Sequence, residues 1–414
     1  MRLFSAFLLV SVGLFSGCTP SAPELKTGTW RGVIELQGQQ LPINFRVAKD
    51  SSGGFDVYLK NAGEELLLDE IIFKNDSVDF VLHVFDAQLR VAIKGDSLNG
   101  FFILNYRTDY RLPFKAAFNQ DFRFQPTDKN ASTSDFSGKY QALFTNETDT
   151  TQAVGMVEQQ GNYAEGSFLT PTGDYRFLEG GVFNDTLYLS TFDGNHTYLF
   201  KAYKQNDTTL QGEYWSGKTF HQDWTGVKTE SASLPHPESL TYLKEGYDKI
   251  EFSFPDVNGH IVQLSDEKFK GKVVILQIFG TWCPNCMDET KFLAPWYSQN
   301  KDRGVEILGL AYERKDDFAY ASDRVMKMQA KWNVPYGFVI AGINDKEKAA
   351  ETLPALNRVV AFPTTIFIGK DGKVKHIHTG FEGPGTGIYH QQFVERFNQI
   401  INELLAEDLT SSKK

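Results

Sequence analysis

Val273-Val274-Ile275-Leu276-Gln277-Ile278-Phe279-Gly280-Thr281-Trp282-Cys283-Pro284-Asn285-Cys286 decides how this chain is read. Its first seven residues are almost unbroken in apolar character, as expected of a central parallel strand covered on both faces. A Cys-x-x-Cys pair follows and opens a helical pattern over about 283–298. A cysteine in the first turn of a helix sits among backbone N–H groups without intrahelical partners, at the positive end of the dipole, and this favours thiolate over thiol. The two-residue spacer is expected to leave the first sulfur exposed and the second one turn in. Cys283 is therefore read as the attacking sulfur of thiol–disulfide exchange and Cys286 as the resolving one. Pro284 stiffens the helix start, where its missing N–H costs little. Zinc sites use the same spacing, but the chain has no second Cys-x-x-Cys and no suitably spaced His pair, so neither metal nor cofactor is expected. His376 and His378 share one face of a strand and are read as surface residues.

Strands and helices alternate beyond the pair. Residues 305–312 read as a second buried strand, 316–332 as a helix, 336–340 as a short strand and 345–357 as a helix. Residues 364–368 and 374–378 form a hairpin across Lys370-Asp371-Gly372, and 391–407 a closing amphipathic helix. That grammar makes 241–414 an α/β domain.

Upstream the grammar is different. Residues 25–230 carry short alternating strands rich in Val, Ile, Phe and Tyr, separated by turn clusters. Gly28-Thr29-Trp30 matches Gly138-Lys139-Tyr140, Asn75-Asp76-Ser77 matches Asn184-Asp185-Thr186, Phe85-Asp86 matches Phe192-Asp193, and Leu98-Asn99-Gly100 matches Leu210-Gln211-Gly212. The offset stays near about 110 residues, which reads as two tandem β units, 18–125 and 126–230, each an up-and-down barrel or small sandwich. Residues 231–240, Ser-Ala-Ser-Leu-Pro-His-Pro-Glu-Ser-Leu, are a linker by composition. Asp-Ser/Thr triplets recur at Asp76-Ser77-Val78, Asp96-Ser97-Leu98, Asp149-Thr150-Thr151, Asp185-Thr186-Leu187 and Asp207-Thr208-Thr209; they resemble an O-glycosylation sequon of exported bacterial proteins, and the favoured reading is turns between strands. The Trp and Tyr residues of the units are expected in their cores rather than at a ligand.

The formal net charge of −10, without long basic runs, argues against a nucleic-acid partner. Three cysteines cannot build a disulfide framework. The third, Cys18, has its own explanation. Arg2, the apolar residues 3–15 and the small pair Ser16-Gly17 directly before Cys18 resemble a bacterial lipoprotein signal, although Phe15 stands where Leu is usual. The resemblance implies removal of 1–17, lipidation of Cys18, and a body tethered to a membrane facing the periplasm. An ordinary secretory signal is the competing reading.

From about Ile250 onward the chain resembles the membrane-anchored, extracytoplasmic thioredoxin-fold oxidoreductases of the TlpA/ResA type. The resemblance rests on Phe252-Ser253-Phe254-Pro255-Asp256-Val257-Asn258-Gly259, on Gly271-Lys272-Val273-Val274 through Cys286, on Glu289, and on Phe362-Pro363-Thr364-Thr365. It implies a thioredoxin fold for the C-terminal domain of a multi-domain chain. It also implies a cis bond before Pro363, placing the backbone of Phe362 beside the sulfurs where a substrate chain can pair. Trp282 packs beside the pair. Glu289, three residues after Cys286 on a helix, shares a face with Cys286, Leu293 and Tyr297; a carboxyl there would be poorly solvated, with a raised pKa, and could relay the resolving thiol's proton. Asn285, within the pair, and Gly280, where Ala is frequent, depart from the family pattern. The partners implied are a disulfide-bearing protein client and a membrane electron donor. Two other functions compete: a thioredoxin-fold peroxidase, whose Pro-x-x-x-Thr-x-x-Cys signature is missing, and a binding protein in which the β units carry the main activity.

Overall fold

The computed structural model describes residues 24–68, 70–125 and 134–407. Cys18 and the signal segment lie outside the described residues, as does the expected boundary between the β units at 126.

Residues 28–118 form one antiparallel sheet of nine strands, in which Gly28–Leu36 pairs with both Gln39–Lys49 and Arg111–Phe118. The first strand thus meets the last, and the meander curls into a barrel-like sheet. Residues 138–228 form a second sheet that closes completely: Thr150–Gln160 pairs with Gly138–Thr145 and Tyr163–Thr170, and Gly138–Thr145 pairs with Phe220–Lys228. Closure leaves no strand edge exposed. Asn184 and Asp185 both have positive φ, as a two-residue turn between right-twisted strands requires. The interiors are filled by side chains. Trp30 is fully buried in the first unit, and Phe144, Phe168, Phe200 and Trp224 pack ring against ring in the second. Arg123 ties the units together, donating to the Lys60 carbonyl and Asn61 on one side and to Ser190 and Glu179 on the other, each within 3.1 Å.

The C-terminal domain is built from β1 (Val273–Phe279), α1 (Pro284–Asn300), β2 (Val305–Glu313), α2 (Phe318–Lys331), β3 (Gly337–Ile343), α3 (Lys346–Thr352), β4 (Thr364–Ile368), β5 (Val374–Thr379) and α4 (Ile388–Ala406). Sheet order is β3-β2-β1-β4-β5, with β1, β2 and β3 parallel and β4 and β5 antiparallel to their neighbours. All seven side chains of β1 are buried, as its apolar run requires. Phe292 of α1 packs edge-on against Phe397 of α4, ring centroids 5.1 Å apart. This is the thioredoxin fold.

Two expectations change. The helix expected over 345–357 stops at Thr352, because Leu353 precedes Pro354 and is pushed out of the helical region. His376 and His378 are not free surface residues: His376 meets Glu238 of the linker at 3.0 Å, and His378, with a side chain only 12% exposed, meets Glu382 at 2.9 Å.

Candidate active site

The end of β1 delivers the chain to the start of α1 at the edge of the β units. Cys283 is the N-cap of α1 and Pro284 its first residue, where no N–H is needed. The Sγ of Cys283 accepts the Cys286 N–H at 3.3 Å, so one of the helix's first-turn donors is directed at this sulfur. The same Sγ lies 3.3 Å from the carbonyl oxygen of Phe362, and the Phe362–Pro363 bond is cis. Cys286 is fully buried one turn in, and its burial, followed by the neighbouring Cys283, pushes its thiol pKa well up. Both cysteines are free thiols in this structure. Exposed Lys346, at the start of α3, lies within electrostatic reach of Cys283.

Trp282 donates its indole N–H to the Tyr312 carbonyl at 2.8 Å and sets its ring edge-on to Phe362, 5.5 Å away. This packing explains one departure from the family pattern: a Cβ on Gly280 would lie 2.1 Å from the Trp282 indole nitrogen.

Glu289 is 1% exposed, on the same buried face as Cys286, Leu293 and Tyr297. Burial raises its pKa to about 7, against the opposing pull of Thr365 and Gln277. The Thr365 hydroxyl donates to one carboxylate oxygen, and Gln277 Nε2 donates to the other at 2.8 Å. Gln277 also reaches the Cys286 carbonyl at 3.4 Å, and Thr290 Oγ1 donates to that carbonyl at 2.9 Å. Hydrogen bonds through Gln277 therefore join the Cys286 backbone carbonyl to the Glu289 carboxyl. A second buried carboxyl, Glu313, accepts the Thr281 N–H and hydroxyl, and burial raises its pKa to about 7. Because the folded chain holds the Glu289 proton up to about pH 7, this group's stabilising share is complete below its ordinary range and is lost as pH rises through about 7. Glu289→Gln removes that loss. The variant is expected to gain about 3 kcal/mol on the wild type between pH 4 and pH 8, read from unfolding curves at the two pH values.

One expectation is overturned: Cys283 is not exposed. Only 7% of its surface is accessible, because the second β unit sits on the active-site turn. Asn285 Nδ2 donates to the Asp174 carbonyl at 3.1 Å, and Arg176 Nη1 donates to the Pro284 carbonyl at 3.3 Å. Asn285, the other departure, is thus a docking residue. Gly173 opposes it closely enough that a Cβ there would lie 2.2 Å from its amide nitrogen. Arg176, 3% exposed and at positive φ, is ringed by acids: Asp288 of α1, Glu64 of the first unit at 2.5 Å and Asp193 of the second at 3.4 Å. Asp174 Oδ2 accepts the Gly383 N–H at 2.6 Å, and burial raises its pKa to about 7. One arginine thus joins both β units to the active-site helix.

Gln277, Thr365, Asp174 and Arg176 escape the sequence reading as site residues. Gln277 leaves a signal, a lone polar residue inside an apolar strand. Asp174 and Arg176 leave none, since Pro171-Thr172-Gly173-Asp174 reads as an ordinary turn.

A dithiol at a helix N-terminus, beside a cis-proline loop in a thioredoxin fold, defines a class: enzymes that exchange thiols and disulfides. The Redoxin family model matches residues 245–391. The chain is 33% identical to the thiol-disulfide oxidoreductase ResA of Bacillus subtilis over 138 residues, 33% of this chain and 69% of that protein. It is 29% identical to the thiol:disulfide interchange protein DsbE of Pseudomonas aeruginosa over 167 residues, 40% of this chain and 83% of that protein. The solved thioredoxin domain of a thiol-disulfide oxidoreductase from Bacteroides vulgatus is 24% identical, covering 38% of this chain and 99% of that one, with a TM-score of 0.28. Through its C-terminal domain the chain belongs to the ResA-type thiol–disulfide oxidoreductases. No helix among the described residues is long and apolar enough to cross a membrane.

Proposed function

We propose that this oxidoreductase is an extracytoplasmic disulfide reductase, with Cys283 and Cys286 as its working pair. The observation that carries this reading is the Cys283 sulfur held at the N-terminus of α1 on the Cys286 N–H, with Cys286 buried behind it. The Cys283 thiolate attacks one sulfur of a client disulfide. The client S–S bond breaks, its leaving sulfur takes a proton, and a mixed disulfide forms. Cys286 loses its proton and attacks the Cys283 sulfur. The second client thiol departs, and the enzyme is left with a Cys283–Cys286 disulfide. Two electrons pass to the client, and a dithiol donor at the membrane returns them. The backbone of Phe362, beside Cys283 across the cis bond, is the place where a client strand pairs; Pro363 holds that loop and Trp282 its floor.

Glu289, buried on the same helix face as Cys286 and close enough for its charge to act on that thiol, takes up the proton that Cys286 loses. Its raised pKa suits it to hold or release a proton near neutrality. Resolution should therefore speed up as pH rises through about 7 in the wild type, and Glu289→Gln should flatten that rise. We read 18–125 and 126–230 as tandem copies of one β unit, and Cys18 as a lipid anchor holding the whole on the periplasmic side.

Cys286→Ser tests the exchange scheme. The variant should accumulate a mixed disulfide on Cys283 with its client, seen as a reducible adduct by mass spectrometry. No adduct at Cys283, or an equal yield of adducts in Cys283→Ser, would reject the scheme.

A further inference from the structure

Between the two β units and the C-terminal domain lies a cleft of about 480 Å³, within the size range of ligand sites. Trp282, the residue before Cys283, forms part of its wall. Four cations reach into it: Arg107 from the first β unit, Lys218 from the second, and Arg314 and Lys315 from the end of β2. None of its lining residues is an Asp or Glu. None of the four cations makes an ion pair among the described residues, although carboxylates outnumber cations by 52 to 42 in the chain.

Rings and neutral oxygens hold these cations in place instead. The Arg314 guanidinium lies 3.4 Å from the centre of the Tyr106 ring and donates to the Phe85 carbonyl and to Asn195, both at 3.1 Å. Lys218 donates to the Asp109 carbonyl at 2.8 Å, and both it and Arg107 lie over the Tyr110 ring. Like charges gathered in one cleft repel each other, and low-dielectric walls focus their field on whatever enters. An arrangement that fixes cations without neutralising them is ready to receive carboxylates.

We propose that this cleft binds an acidic segment of the client polypeptide, next to the disulfide that Cys283 attacks. The proposal rests on the exchange reading above and adds the client's chemistry to it. Acidic residues flanking the disulfide enter between Arg107, Lys218 and Lys315, which brings the disulfide to the Trp282 side of the pair. The three side chains are exposed, so they meet the client early and act chiefly on association.

The test uses the full chain and three synthetic peptides, each with one disulfide, flanked by acidic, basic or uncharged residues. At low ionic strength kcat/KM should favour the acidic over the basic peptide by about tenfold or more, and the ratio should shrink as salt approaches about 0.15 M. The double reversal Arg107→Glu with Lys218→Glu should bring the ratio to one or invert it. The same reversal at exposed Lys94, outside the cleft, should keep it. Should the double variant fold poorly, Lys218→Gln alone should lower the ratio in the same direction. A wild type without charge preference, or a ratio unchanged by the cleft variants, overturns the proposal. A wild type that reduces none of the three peptides, nor a small neutral disulfide, counts against the exchange reading itself.

Discussion

Cys283→Ser is expected to cut disulfide turnover by roughly a thousandfold or more. Exchange needs a sulfur nucleophile at this position, and the helix start directs the Cys286 N–H at the Cys283 Sγ from 3.3 Å. A serine hydroxyl stays protonated at neutral pH and cannot form or break a disulfide. Cys286 cannot take over. It is fully buried, and burial holds its thiol well above the ordinary range. Cys286→Ser should behave differently, because its first half-reaction remains. Single-turnover kinetics on a small disulfide separate the two variants: no adduct in one, a stable adduct in the other. A Cys283→Ser variant that kept most of its turnover would move the chemistry elsewhere.

The second large effect is expected at Arg176. Arg176→Met should release the second β unit from the active-site turn. In the folded chain four carboxyls, buried Asp288, Asp193 and Asp174 and half-buried Glu64, raise the Arg176 pKa against the lowering effect of its burial. Removing the guanidinium leaves those carboxyls facing one another without their shared cation, a loss of about 3–5 kcal/mol for a broken buried ion pair. The least costly response is to let water in, and the place where water enters is the interface over Cys283. The variant should therefore show faster alkylation of Cys283 by a neutral thiol reagent, and faster hydrogen exchange over residues 171–177. Asp288→Asn, which removes one of the acids and keeps the cation, should have a smaller effect. Alkylation and exchange at wild-type rates in Arg176→Met would mean that the cluster does not hold the cover closed. A general loss of structure would differ from this outcome, because exchange would then rise through the barrel cores as well.

The C-terminal fold was legible because its signals are local. Six apolar residues in a run of seven make a buried strand wherever covering helices exist, and a cysteine at a helix start meets unpartnered N–H groups whatever the rest of the chain does. Glu289 was legible for the same reason, since helix periodicity alone puts it on the inward face with Cys286. The limits of α3 were misjudged only where Pro354 overrides the preceding pattern. The β units showed their strands by alternation. Which strand would meet which, and whether a sheet would close, depends on pairings across the whole unit, such as Gly138–Thr145 with Phe220–Lys228.

By itself, then, the sequence determined the reaction class, the Cys283–Cys286 pair at a helix start, and a buried carboxyl, Glu289, on the same helix face as Cys286. Only the tertiary structure decided that the Cys283 sulfur is covered, that Asn285 docks against Asp174, and that cations from three parts of the chain share one cleft. The reason is range. Helix dipoles and side-chain periodicity act over a turn or two, whereas Arg176 and the Pro284 carbonyl it binds are 108 positions apart. Contacts of that kind leave no period in the sequence, and docking of the folded units brings them into being.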